Sequence, residues 1–189
     1  MDLSDHGTRA TPPIGGVVPD ASASGSMALP ALRGRDRVTG LLDRDAFEEV
    51  LDHEDAREQR YRRPTTVVIL HLDGLDRLAE RLGSEAADLV EPAVGDTLAR
   101  LARRADYVAR LEPGRFGVML PETDEILAIN YVERVRSACE HWLESGAIGT
   151  RISIGWACST GDASMASVVR TATERMYTEE RRHHYAPGS

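Results

Sequence analysis

The chain contains no lysine: all 23 of its basic residues are arginine. That excludes Schiff-base catalysis on a lysine amine and the lysine of a P-loop, while leaving guanidinium recognition of phosphate and base edges open. Cysteine is almost as scarce. Cys139 and Cys158 fall in separate segments and form neither a CxxC pair nor a disulfide framework, so both read as small core residues. No apolar run approaches the roughly 18 residues that cross a bilayer. Val17, Val18 and the MALPAL segment are too short and interrupted to act as a secretion signal, which makes the cytoplasm the expected setting. The net charge of −8 disfavours generic attraction to nucleic acid or an anionic membrane, although a local arginine cluster can still hold a phosphorylated ligand.

What is present is enough chain for one domain with a substantial core, 41% hydrophobic and 29% charged. Residues 1–33, rich in Gly, Ala, Ser, Pro and Thr without apolar periodicity, are expected to form a disordered tail. The folded domain is expected over 34–185, with 186–189 a flexible end. A helix from Asp45 to about Arg62 places Phe47, Val50 and Leu51 on one face and stops before Pro64. Thr65 to Asp73, nearly continuous and β-branched, predicts a strand covered on both faces. Helices follow over Leu75 to Leu82 and Glu85 to Arg104, the second with Leu89, Val94, Leu98 and Leu101 as its apolar stripe. YVARL and RFGVMLP flank Glu112-Pro113-Gly114 and predict a β-hairpin. A helix over Asp124 to Glu144 is expected to bury Ile126, Leu127, Ile129, Val132 and Val135. Arg151 to Ser159 gives a last core strand and Met165 to Arg182 a last helix. The order predicts an α/β palm-like fold, a mostly antiparallel central sheet flanked by helices.

Four landmarks keep order and spacing across this region: DRVTGLLDRDAF (Asp36 to Phe47), the hairpin around Glu112 to Phe116, RISIGWA (Arg151 to Ala157) and ERMY (Glu174 to Tyr177). Taken singly, Thr39 and Gly40 read as a turn, Phe47 and Tyr177 as core aromatics, Ile152 and Ile154 as core strand. Jointly they resemble a GGDEF domain, the bacterial diguanylate cyclase family that condenses two GTP molecules into cyclic di-GMP on a nucleotide-cyclase palm.

The resemblance implies where catalysis belongs and that the residues for it are missing. Cyclisation requires carboxylates that hold divalent metal against the triphosphate. The family's signature pentapeptide falls on Glu112, Pro113, Gly114, Arg115 and Phe116, of which only the phenylalanine agrees. Pro113 removes a backbone donor, and Arg115 puts a fixed positive charge where the family has an acid. The family's first-strand metal-holding aspartate falls on His71, its nearby lysine on Asp76 and its guanine-binding asparagine on Ala79; Asp88 alone keeps its guanine-reading match. The phosphate-binding lysine falls on Glu180 and a late arginine on His184. Glu112, His71 and Asp73 lack a metal-ligand spacing, and His183-His184 reads as solvated surface in a fraying end, so no metal, cofactor or enzymatic activity is expected.

A second family site is in register. Arg103-Arg104-Ala105-Asp106 carries the RxxD pair that binds cyclic di-GMP as an inhibitor in active members, and Arg134 matches a further arginine on the next helix. Guanidinium forks suit phosphate and the Hoogsteen edge of guanine, and a carboxylate accepts from guanine N–H groups. The plainer alternative makes Arg103 and Arg104 helix C-terminal cations, Asp106 a turn cap and Arg134 a surface residue. The expectation is a catalytically inactive domain that receives cyclic di-GMP through Arg103, Asp106 and Arg134, acts on an unidentified protein partner and forms a ligand-promoted homodimer. A ligand-independent interaction module is the alternative, and a residual cyclase the last.

Overall fold

The structure is a computed structural model that describes residues 34–146, 150–159 and 163–185, without the side chains of 141–146. The expected tail over 1–33 and the end over 186–189 lie outside the described residues. Ten elements follow the chain as α1 (Arg44–Tyr61), β1 (Thr66–Asp73), α2 (Leu75–Leu82), α3 (Ser84–Asp88), α4 (Val90–Leu101), β2 (Tyr107–Glu112), β3 (Arg115–Leu120), α5 (Glu125–Gly146), β4 (Arg151–Cys158) and α6 (Met165–Tyr185). The start of α1 is set by Asp43, whose carboxylate accepts from the Ala46 N–H at 2.9 Å.

The strands form one sheet in the order β2-β3-β1-β4 with every neighbouring pair antiparallel. β1 lies inside the sheet and is covered on both sides, as its sequence requires. Val68, Leu70 and Leu72 face Val90, Val94 and Leu98 of α4 and Tyr131, Val132, Val135 and Cys139 of α5. Val67 and Ile69 face Phe47 and Val50 of α1 and Met165, Val168, Ala172 and Met176 of α6. The palm-like arrangement expected from the element order is therefore present, with helices on both faces of an antiparallel sheet.

Glycine at 155 is what brings α6 down onto β4. A Cβ there would collide with the Ala172 carbonyl and the Met176 amide, both backbone atoms of α6.

Two expectations about helices and one about burial need correction. The single helix over 85–104 is two, α3 and α4, parted at Leu89, which is 69% exposed rather than part of the apolar stripe. On α5 the buried stripe is Ala128, Tyr131, Val132, Val135 and Cys139, while Ile126, at 72% exposure, Leu127 and Ile129 face outward. A 3.6-residue repeat that includes Val132 and Val135 reaches 128 and 131, not 126 and 129. Finally, Tyr177 is exposed and Cys158 only half-buried, whereas Cys139 is core. Among the described residues, no helix is long and apolar enough to cross a membrane.

Candidate functional site

Two places on the fold bear on function. The first is the β2–β3 turn. Proline at its first central position fixes φ, and Gly114 at the second has φ +72°, the arrangement of a type II turn. A side chain at 114 would also crowd the Leu72 carbonyl, 3.2 Å from where its Cβ would sit. Gly114 is tied into the sheet by its carbonyl, which accepts from Leu72 N–H at 2.8 Å. Its own N–H donates to Glu91 of α4. The other Glu91 oxygen takes the Arg110 guanidinium at 2.5 Å, and Arg110 continues to Asp36 at 2.9 Å. Burial would raise the Asp36 carboxyl, but hydrogen bonds from Thr39 and Arg110 outweigh it and hold the group below the usual carboxylate range. The turn is thus clamped from beneath by a largely buried network that the sequence reading missed. Its signal was available: Glu91 is a charge inside the apolar stripe Val90, Val94 and Leu98.

Around the turn, the expected catalytic positions are occupied by mutual pairs. Glu112 is held by Arg115 at 2.7 Å and Arg44 at 3.5 Å, and Pro113 is exposed. Arg115 also donates to the Tyr177 hydroxyl at 2.8 Å and lies over that ring, 5.2 Å from its centroid. His71, Arg115 and Ser153 form one row across β1, β3 and β4 on the face that α6 covers. His71 Nδ1 lies 3.1 Å from Glu180, a close contact but poorly aligned for a hydrogen bond. His183 meets Ser153 at 3.3 Å, and His184 meets Asp73 at 3.4 Å. The His183-His184 pair is therefore not a fraying end but the clasp of α6 against the sheet. Asp88 ends α3 at the exposed surface. Among the described residues, no three His, Cys, Asp or Glu side chains are placed together to hold a metal ion.

The second place is the turn between α4 and β2. Asp106 folds back to accept the Arg103 N–H at 2.6 Å, while its own N–H donates to the Arg103 carbonyl at 3.0 Å. This is the capping role anticipated as the plain reading of Asp106. Burial pushes the Asp106 carboxyl up, and the Arg103 N–H and the charges of Arg103 and Arg134 pull it back only in part. The charge of Arg134, on α5, acts on the same half-buried carboxylate as that of Arg103 in the turn. Arg134 also lies over the Tyr131 ring, 5.8 Å from its centroid. Arg103 and Arg134 are exposed, leaving their forks accessible to an anion.

With that geometry in view, residues 34–185 match the model of the family described as diguanylate cyclase, GGDEF domain, and the chain belongs to that family. It is 28% identical over 149 residues to the diguanylate cyclase DgcP of Pseudomonas aeruginosa, covering 77% of this chain and 22% of that protein. The chain thus spans under a quarter of that relative's length. The GGDEF domain of DgcB from Caulobacter crescentus, solved in complex with cyclic di-GMP, superposes with a TM-score of 0.71 at 20% identity, covering 79% of this chain and 91% of that one. Diguanylate cyclase SiaD of Pseudomonas aeruginosa, solved with its activator SiaC, gives a TM-score of 0.72 at 23% identity, covering 82% and 61%. At these identities the structural likenesses establish the fold.

Proposed function

We propose that this domain is a catalytically inactive GGDEF receptor that binds cyclic di-GMP through Arg103, Asp106 and Arg134 and relays occupancy to a protein partner in the cytoplasm. The observation that carries this reading is that Asp106 folds back onto the Arg103 N–H while the charges of Arg103 and of Arg134, from separate elements, both act to lower its carboxyl. A purely structural cap needs only Arg103; the exposed Arg134 on α5 would supply the second fork that a bis-phosphate, two-base ligand requires. The absence of catalysis is supported by the turn: Glu112 is paired to arginines, the Gly114 N–H is spent on Glu91, and Arg115 is engaged with Tyr177. His71 and Glu180 likewise face one another at the positions where the family resemblance puts a metal-holding aspartate and a phosphate-binding lysine. The complexes of the relatives, one with cyclic di-GMP and one with a protein activator, make both kinds of partner reasonable for this fold.

Calorimetric titration of Arg103→Ala and Arg134→Ala tests the assignment. Each should lose at least tenfold in affinity for cyclic di-GMP, the effect of about 1.4 kcal/mol expected from one charged hydrogen bond. Unchanged affinity in both would place the ligand elsewhere. Chromatography after incubation with GTP and Mg²⁺ should show no cyclic di-GMP; its formation would restore the cyclase reading.

A ligand-independent interaction module is favoured by one observation, the outward-facing Ile126, Leu127 and Ile129 on the first turns of α5. No heat with any guanine nucleotide would select that reading.

A further inference from the structure

We propose that the outer face of the first two turns of α5 is a docking surface for a short amphipathic helix of a partner protein, one that carries lysine or arginine beside its apolar stripe. Three large aliphatics stand there within four positions: Ile126 is 72% exposed, Leu127 40% and Ile129 43%. The opposite face of the helix is spent on the core, where Tyr131, Val132, Val135 and Cys139 pack with residues of β1, β4 and α4. Single aliphatics on a surface need no explanation, but three adjacent ones make an apolar patch on the order of 300 Å², a size that on a monomer often marks function. The surface uses none of Arg103, Asp106 and Arg134, and its role is separate from the receptor reading and needs no nucleotide.

Patch size and charge select the occupant. A stable protein–protein interface buries roughly 800 Å² on each side, so this patch is too small to hold a second copy of the domain by itself but large enough to seat a few side chains of one helix. Ile126, Ile129 and Asn130 lie at i, i+3 and i+4 along the outward stripe, and Glu133 continues it by one turn. A helix laid along that stripe presents its own residues at the same spacing. Acids border the apolar centre: Asp124, Glu125 and Glu133 are all exposed. Asp124 is fixed in place, because its carboxylate accepts the Leu127 N–H at 2.9 Å as the cap of the helix. Of the arginines of α5, Arg134 lies over the Tyr131 ring and Arg136 is engaged with Glu179 at 2.8 Å. Two copies meeting face to face would set the bordering acids against each other, and anionic lipid headgroups would be repelled. Lysine or arginine flanking a leucine stripe would instead pair with them.

The probe is a synthetic helix-forming peptide with leucine at i, i+3, i+4 and i+7 and lysine on both flanks. Its twin carries glutamate in place of every lysine, and each is titrated by fluorescence anisotropy against the full chain without nucleotide. The basic helix should bind saturably, and the acidic twin roughly tenfold more weakly or not at all. Ile126→Ser/Ile129→Ser should cost the basic peptide roughly tenfold or more in affinity, the effect of no longer burying two isoleucines. The melting temperature should stay unchanged, because both side chains are exposed in the free protein. Glu125→Lys/Glu133→Lys should reverse the preference between the two peptides. Failure of the basic peptide to bind overturns the proposal. So does affinity that survives Ile126→Ser/Ile129→Ser, which would show a general attraction of cations to a chain of net charge −8. A concentration-dependent dimer seen by light scattering, or sedimentation with phosphatidylcholine vesicles, abolished by the same isoleucine change would give the face to a second copy or to lipid and likewise overturn it.

Discussion

Removing Arg110 should be among the most damaging single changes in the domain, because it opens the network beneath the β2–β3 turn. The side chains of Arg110, Glu91 and Asp36 are only 13%, 11% and 16% exposed, and among the described residues Arg110 is the cation that pairs with both acids. Arg110→Ala would leave both carboxylates largely desolvated and unpaired. Breaking a buried ion pair from one side costs about 3–5 kcal/mol. For a domain of this size that corresponds to a fall in melting temperature of roughly 6–20 °C. Urea unfolding at neutral pH, with thermal melts in parallel, measures it. Arg77→Ala is the control: its pair with Asp73 spans 3.2 Å on an exposed side chain and should be worth less than about 1 kcal/mol. The Asp36 carboxyl is depressed in the folded state, so its contribution is present above its ordinary pKa of 3.8 and is lost as pH falls through the lowered value. The deficit of Arg110→Ala relative to the unaltered chain should therefore shrink in acid. A loss below about 1 kcal/mol at neutral pH would show that water reaches this network and that the turn is not clamped as described.

Glu58 offers the opposite sign. It is 4% exposed with Oε2 unpartnered; burial raises its carboxyl, a hydrogen bond from Ser159 offsets part of this, and the Asp55 and Glu54 charges add to the rise. The folded state thus holds the proton more tightly, so stability falls as pH rises from the ordinary value of 4.5 through the raised one. Glu58→Gln should be about 1 kcal/mol more stable than the parent at neutral pH and equal near pH 4, read by urea midpoints at the two pH values. Gly155→Ala should force α6 off β4 and cost about 3 kcal/mol in the same assay. Cyclic di-GMP should promote a dimer visible by light scattering, absent in Arg103→Ala protein.

The sequence disclosed the sheet better than the helices. Thr66–Asp73 was recognisable because β-branched residues occupy both of its faces, and the hairpin because Pro113 and Gly114 can do little but turn. α5 was misphased because Ile126, Leu127 and Ile129 look like core, whereas the small Ala128 and the polar-tipped Tyr131 actually line it. Apolar character alone does not say which face a sheet will cover. The positions that align with the family's catalytic residues could be named from the motif, but not their partners. His184 with Asp73 and Arg115 with Tyr177 join residues more than sixty positions apart, a proximity fixed only by how α6 lies across β1 and β3. Glu91 was overlooked for a similar reason: a charged residue in an apolar stripe announces a buried partner without identifying it.

The central claim is that the intact guanidinium pair, and not the signature turn, is the nucleotide-facing part of this domain. Calorimetric titration of the unaltered chain with cyclic di-GMP and, separately, with GTP and Mg²⁺ addresses it most directly. Saturable binding of the cyclic dinucleotide with no heat from GTP is the predicted result. GTP binding that survives Arg103→Ala, with no response to cyclic di-GMP, would contradict it.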